Sequence, residues 1–338
     1  MAGRLIELPP PRGPLSERLF EALIGPPDVG LEPPHAVDSA DPIADEDLQL
    51  ALYIAYELHY AGIRGVDEAW EWAPSLLGFC AALERPFEAA VAELVEPASA
   101  EELDSVGAAL QTIVAEDPGP PLSRHLETQA TLDQMLEHVV HRSAYQLKES
   151  DPHSWAIPRL SPRPKAALLE VQADEYGGGD PERMHSVLFA NTMVALGLDP
   201  TYGGYLEQLP GMTLATVNLM SGFGLHRRRR GAIVGHLAAF EMTSSIPNRR
   251  YGNALRRLGF GREATHFYDE HVEADAVHEN IAAWDLAGGL AADEPDVAAD
   301  ILFGARALLQ VEALWASHLM DSWERGESSL REPVAVPA

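Results

Sequence analysis

Within YDEHVEADAVHENIAAW, His271, Asp275 and His278 stand at i, i+4 and i+7. At 100° per residue they sit at roughly 0°, 40° and −20° around a helix, so three potential metal ligands share one stripe. Phe267, Ala274, Ile281 and Ala282 fall within roughly 80° of that stripe, which turns it toward a core rather than toward water. Unpaired polar groups are costly in a core, and a bound metal ion supplies a reason to bury two histidines and an aspartate together. The plain alternative is a solvated, charged face that carries two histidines by chance.

Glu241, in GAIVGHLAAFEMTSS, poses the same question. Val234, Leu237 and Ala238 lie seven, four and three residues before it, so its carboxylate projects from an apolar helix face. A buried carboxylate needs a cation, either a metal or an arginine of the run Arg227 to Arg230. A third segment, LLEVQADEYGGGDPERMHSVLF, places Glu175 in the last turn of one helix and His185 in the second turn of the next. The glycines between them let groups ten residues apart converge. Glu170 or Asp174 could replace Glu175, and Glu182 with His185 has the Glu-x-x-His spacing of ferritin-like bundles. Such a bundle needs two of these pairs, and Glu182, in a first turn, is explained by the helix dipole alone.

These residues need helices to carry them. Apolar residues recur at three and four spacing from Glu46 to Leu58, from Trp70 to Leu83 and from Phe87 to Val95, and no run alternates with period two. Further helices are expected over about 126–148, 165–176, 184–196, 212–221, 229–244, 250–257, 261–287 and 293–324. The fold class is therefore all-α. The first 45 residues are rich in proline and read as an extended arm (1–45), followed by a helical N-terminal extension (46–122), a helical bundle (123–326) and a loose tail (327–338). His138 and His141 fall on the polar side of the 126–148 helix and are expected at the surface, while His226 and His236 suit packing roles.

DEYGGG with a following MH, then a mid-helix glutamate, then H-x-x-x-D-x-x-H, resembles the iron-containing redox enzyme family of heme-oxygenase-like di-iron oxidases. The resemblance spans roughly residues 130–325. It implies a heme-oxygenase-like seven-helix bundle without heme, holding two non-heme Fe(II) ions and using O2 as co-substrate. Carried over position by position, its ligand set is Glu175, His185, Glu241, His271, Asp275 and His278. Some members add a glutamate from an earlier helix; Glu149 is the candidate, although it lies well off the apolar stripe of its own expected helix. The N-terminal YELHY (Glu57, His59) and WEW (Glu71) resemble an extension found in a subset of members.

Two Fe(II) bring +4 and three carboxylates −3, leaving +1 for a hydroxide or one more carboxylate. Three imidazoles with three carboxylates form an N/O donor set that suits non-heme iron, and manganese also fits it. The resemblance implies oxidation of a small organic substrate with O2, by N-oxygenation, C–C cleavage or desaturation, in the manner of natural-product pathways. Two rivals remain: a metal-independent heme-oxygenase-like enzyme, of the thiaminase or cofactorless-oxidase kind, and a non-catalytic helical binding protein.

Composition narrows the partners. The chain has 338 residues, with 24 Lys plus Arg against 52 Asp plus Glu, a formal charge of −28. That field disfavours nucleic acid and anionic membrane surfaces, which leaves a small-molecule substrate and O2, with a homodimer compatible. The single cysteine, Cys80, rules out an intramolecular disulfide and a cysteine-based metal cluster. No apolar leader or spanning run is evident, so the expected compartment is the cytoplasm.

Overall fold

A computed structural model of the protein describes residues 5–117 and 119–334, with the side chains of 273–277 left aside. The described residues form helices joined by turns and loops. In order, α1 is Pro14–Leu23, α2 Glu46–Glu57, α3 Pro74–Leu94, α4 Ala100–Asp104 and α5 Val106–Ala115. Then come α6 Leu122–Thr128, α7 Leu132–Gln146, α8 Asp151–Ser154, α9 Pro162–Glu175 and α10 His185–Ala195. The last five are α11 Gly211–Leu225, α12 Arg230–Arg257, α13 Arg262–Asn280, α14 Gly288–Asp293 and α15 Ala298–Glu324. Among the described residues there is no strand, only an isolated parallel bridge between Ile6 and Ile63. No described helix is long and apolar enough to cross a membrane.

The helix starts follow local chemistry. The Asp45 carboxylate accepts from the Asp47 and Leu48 amides to open α2, and Thr131 and Gln134 form a reciprocal capping box at the head of α7. Residues 48–57 of α2 are buried on every side, as an all-round apolar helix must be, and α11 is its main neighbour. At the centre lies α12, packed along α13 and α15. It approaches α15 so closely that a Cβ at Gly235 would strike the Ile301 carbonyl, and one at Gly304 the Ala232 carbonyl. This crossing sets the depth at which Glu241, six residues on, enters the core. After α13 the chain continues as a π-helix over Ile281–Ala287, which packs on α9 and α12. One core runs unbroken from Ile6 to Leu330.

Several expectations are corrected. The N-terminal arm is not extended throughout: α1 forms there, with Leu19, Phe20 and Leu23 buried, and the Asp47 carboxylate accepts from the Leu15 and Ser16 amides. The helices expected over 229–244 and 250–257 are one, because Pro247 is accommodated within α12, where Thr243 and Ser244 hydroxyls donate to carbonyls one turn back. Likewise Pro86 sits inside α3. The tail is pinned at Ser328 and Ser329, whose hydroxyls donate to Glu137 at 2.6 Å each.

His138 and His141 are buried rather than exposed. Tyr251 and Trp315 enclose His138, while Thr213 and Ser329 bond the two ring nitrogens of His141 at 2.6 and 3.0 Å. The helix side that looked polar is covered by α11, α15 and the C-terminal segment. His153 and His236 form a second buried pair, 3.2 Å apart. Burial lowers the pKa of all four, that of His153 to about 4. The unfolded chain therefore takes up these protons near pH 6.5, while the fold refuses them until the pH is much lower. Stability is complete above about 6.5 and falls as the pH drops, by ~1.4 kcal/mol per pH unit for each histidine. His185 and His278, whose pKa values neighbouring carboxylates raise, act in the opposite sense only above about pH 6.5. Below it the four outnumber the two carboxyls, Glu149 and Glu241, that burial raises. Thermal unfolding followed from pH 6.0 to 4.5 should show Tm falling steadily; a Tm that rises toward acid over that range would contradict this.

Candidate metal centre

The GGG turn does what the sequence suggests. Gly177, Gly178 and Gly179 all have left-handed backbones, with φ of 70°, 62° and 89°. A Cβ at Gly177 would also press on the backbone of Arg183 and Met184. The turn folds the end of α9 against the start of α10, bringing His185 Nδ1 to 3.0 Å from Glu175 Oε2. His185 is the first residue of α10 rather than in its second turn, since residues 180–184 form a loop. Glu182 and Glu170 are exposed and take no part.

Among the described residues two groups of donor atoms result, each with its members within 4.8 Å of one another: Glu149, Glu175, His185 and His271 in one, Glu175, Glu241 and His278 in the other. Glu175 belongs to both. His271 Nε2 lies 3.6 Å from Glu149, and His278 Nδ1 lies 3.4 Å from Glu241. Of the expected set, the structure gathers Glu175, His185, Glu241, His271 and His278; Asp275 lies outside the described residues. The arginine alternative for Glu241 fails: Arg228, Arg229 and Arg230 turn to Glu88, Asp300 and Glu294, and Arg227 is exposed.

Glu149 is the residue that the helical stripe misplaced. It lies beyond the end of α7, in a turn over 147–150 that closes with Ser150 at φ 71°. Extrapolating the α7 face past Gln146 therefore points its side chain the wrong way. The charge count, which left room for a hydroxide or one more carboxylate, was the better signal. Also unforeseen were Ser150, whose hydroxyl donates to Glu175 at 3.2 Å, and Tyr145, which lines the cavity between the glutamates.

The donor atoms suit a cation. Glu149 Oε2, Glu241 Oε2, His185 Nδ1 and His278 Nδ1 are buried and make no well-aligned hydrogen bond, although the two ring nitrogens lie close to Glu175 and Glu241, a costly state unless something else binds them. The outer nitrogens, by contrast, are committed. His271 donates from Nδ1 to the Phe267 carbonyl at 2.8 Å, and His278 from Nε2 to Asp174 at 2.9 Å, which leaves a lone pair facing inward on each ring. The electrostatics agree. Burial pushes Glu149 and Glu241 up. Burial also opposes ionised Glu175, but His185, His271 and His278 outweigh it and hold this acid at about 2. Burial pushes His278 down, and Glu241 more than reverses this, to about 9. A cage of carboxylates without a cation collects protons in this way. The cavity at its centre, about 10 Å³, has room for roughly one water-sized sphere.

With that geometry in place, comparison with known proteins decides the family. A sequence profile of iron-containing redox enzymes matches residues 136–313. The chain belongs to the iron-containing redox enzyme family. Its fold is similar to that of a CADD-like protein of unknown function from Nostoc punctiforme PCC 73102, at TM-score 0.51 and 16% identity, covering 66% of this chain and 98% of that one. Among curated proteins none matches. The heme-oxygenase-like, all-helical fold is thereby established, as is the presence of buried His and Glu groups able to hold metal.

The exposed Asp174 meets His278 Nε2 from outside the donor groups, and its contribution can be isolated. Asp174→Asn weakens the acceptor at His278 Nε2 without touching an inward-facing atom. Metal affinity at the Glu241–His278 group should fall roughly tenfold, as for loss of other such supporting carboxylates. Competition against a chelator measures it; unchanged affinity would contradict the role assigned to Asp174.

Proposed function

We propose that the protein is a non-heme di-iron oxidase or oxygenase that uses O2 to oxidise a small organic substrate. The observation that supports this most is the sharing of one buried carboxylate, Glu175, by two adjacent groups of buried N and O donors. In this reading Glu149, His185 and His271 would hold one ion, Glu241 and His278 would hold the other, and Glu175 is within reach of both. Asp275 is proposed as a further ligand beside His271 and His278. Manganese would fit the same donors, but the family favours iron. Bound iron would supply the electrons and open coordination positions that reduction of O2 requires.

The chain's own residues do the remaining work. Phe267 and Asp174 fix the tautomers of His271 and His278, so each ring presents a lone pair inward. The Ser150 hydroxyl orients Glu175 through Oε2. Leu237 and Phe240 wall the cavity and keep bulk water from the donors. Nothing favours the thiaminase-like rival: Cys80 is buried, burial raises its thiol, and it does not line this cavity.

The test is to add Fe(II) anaerobically, admit O2, and follow the visible spectrum together with O2 uptake. The reading expects iron-dependent uptake that His271→Ala and His278→Ala abolish. Uptake that survives both substitutions would end it.

A further inference from the structure

A second cavity, of about 170 Å³, lies between α7, α12 and α15 and runs from the exposed Asp117 to the buried Trp315. Phe240 and Ser244 line both this cavity and the small one between the glutamates, so the two are separated by a single layer of side chain. Gln146, in the wall of the larger cavity, is three residues before Glu149. A molecule seated here would lie against the donor groups with Phe240 as the partition.

The charges of the wall select what that molecule can be. Arg142 is its one cation, and it is already used: Nη1 and Nη2 donate to Glu312 at 2.9 and 2.7 Å, and the guanidinium lies over the Trp315 ring at 3.8 Å. A bidentate pair of this kind leaves little for an incoming carboxylate. Asp117 adds a second acid at the outer end, so the lining carries one positive and two negative charges, a net −1. Gln146 Oε1 is buried there with no hydrogen-bond partner and asks for a donor. Trp315, Tyr251 and Phe240 supply aromatic walls, which favour an organic cation over a hydrated inorganic one. The protein's overall charge of −28 raises the local concentration of cations in the same sense.

We propose that this cavity is the substrate site and that it takes a small organic amine, bound as its ammonium ion, with the apolar part of the molecule against the aromatic walls. The proposal rests on the di-iron reading for its meaning as a substrate site, but the binding itself requires no metal. Glu312 is the specificity-determining residue: the lone pairs that its two bonds to Arg142 leave free accept from the ammonium, while those bonds keep Arg142 from recruiting anions.

Pentylamine, pentanoate and 1-pentanol differ in charge at nearly constant shape. Ligand-observed NMR titration of each into the full-length protein at pH 7 should show pentylamine binding at least about tenfold more tightly than pentanol, with pentanoate weakest. Glu312→Gln frees Arg142 and should reverse the order, so that pentanoate binds more tightly than pentylamine. Asp117→Asn, at an exposed position that does not threaten folding, should weaken pentylamine a few-fold and leave pentanol unchanged. Equal binding of the three, tighter binding of pentanoate to the unaltered protein, or no binding at all overturns the proposal. Iron content measured on the same samples separates the two readings: amine selectivity in a protein that takes no iron sinks only the di-iron function, and its absence in a protein that takes two irons sinks only the amine site.

Discussion

Glu175→Gln should remove metal from both groups at once. Among the described residues every other donor belongs to one group, so in the proposed reading its loss leaves a partial site; Glu175 belongs to both, and its replacement is expected to empty the centre. Gln keeps the size and one oxygen but loses the charge that balances two divalent cations. Loss of a merely supporting group costs ~10–100-fold in metal affinity, so a bridging ligand should cost at least the upper end of that range at each ion. Metal analysis after anaerobic loading should fall from two irons per chain to a small fraction of one. Glu170→Gln, on the exposed face of the same helix, serves as control and should bind iron as the unaltered protein does. Retention of one full ion by Glu175→Gln would show that the two groups do not share it.

The second large effect concerns stability. Lys148 and Glu57 form an ion pair with both side chains at 3% exposure or less, and Lys148 Nζ also lies 4.3 Å from the Tyr60 ring centroid. The pair ties α2 to the turn that carries Glu149. Lys148→Met leaves Glu57 buried without its cation, a change that costs about 3–5 kcal/mol, whereas removing both charges can be nearly neutral. Chemical denaturation should therefore show a large loss for Lys148→Met and recovery of at least half of it in Lys148→Met/Glu57→Gln. A single variant within 1 kcal/mol of the unaltered protein would mean that water reaches the pair.

The candidate site was legible in the sequence where one helix face carried the signal. His271 and His278 share a stripe, and Glu241 projects from an apolar face, so helical periodicity alone aims them inward. The convergence of Glu175 and His185 was legible because three consecutive glycines mark a reversal. Glu149 was not, because its direction depends on where α7 stops and on the left-handed Ser150, neither of which periodicity encodes. His138 and His141 were misread for a related reason. A helix face with two histidines looks polar, and only tertiary packing by Trp315, Tyr251 and the Ser328–Ser329 segment makes it core. In the N-terminal arm, proline density concealed α1, whose first amides are satisfied by Asp47 in a different helix. The opposed charges of Arg142 and Glu312 lie 170 residues apart in sequence, and only the fold brings them to one cavity.

Iron stoichiometry tests the central claim most directly. Protein loaded anaerobically with Fe(II), desalted and assayed for metal should retain two irons per chain, and His271→Ala and His278→Ala should each retain one or fewer. Fewer than one iron in the unaltered protein, or unchanged iron in both variants, would contradict the account.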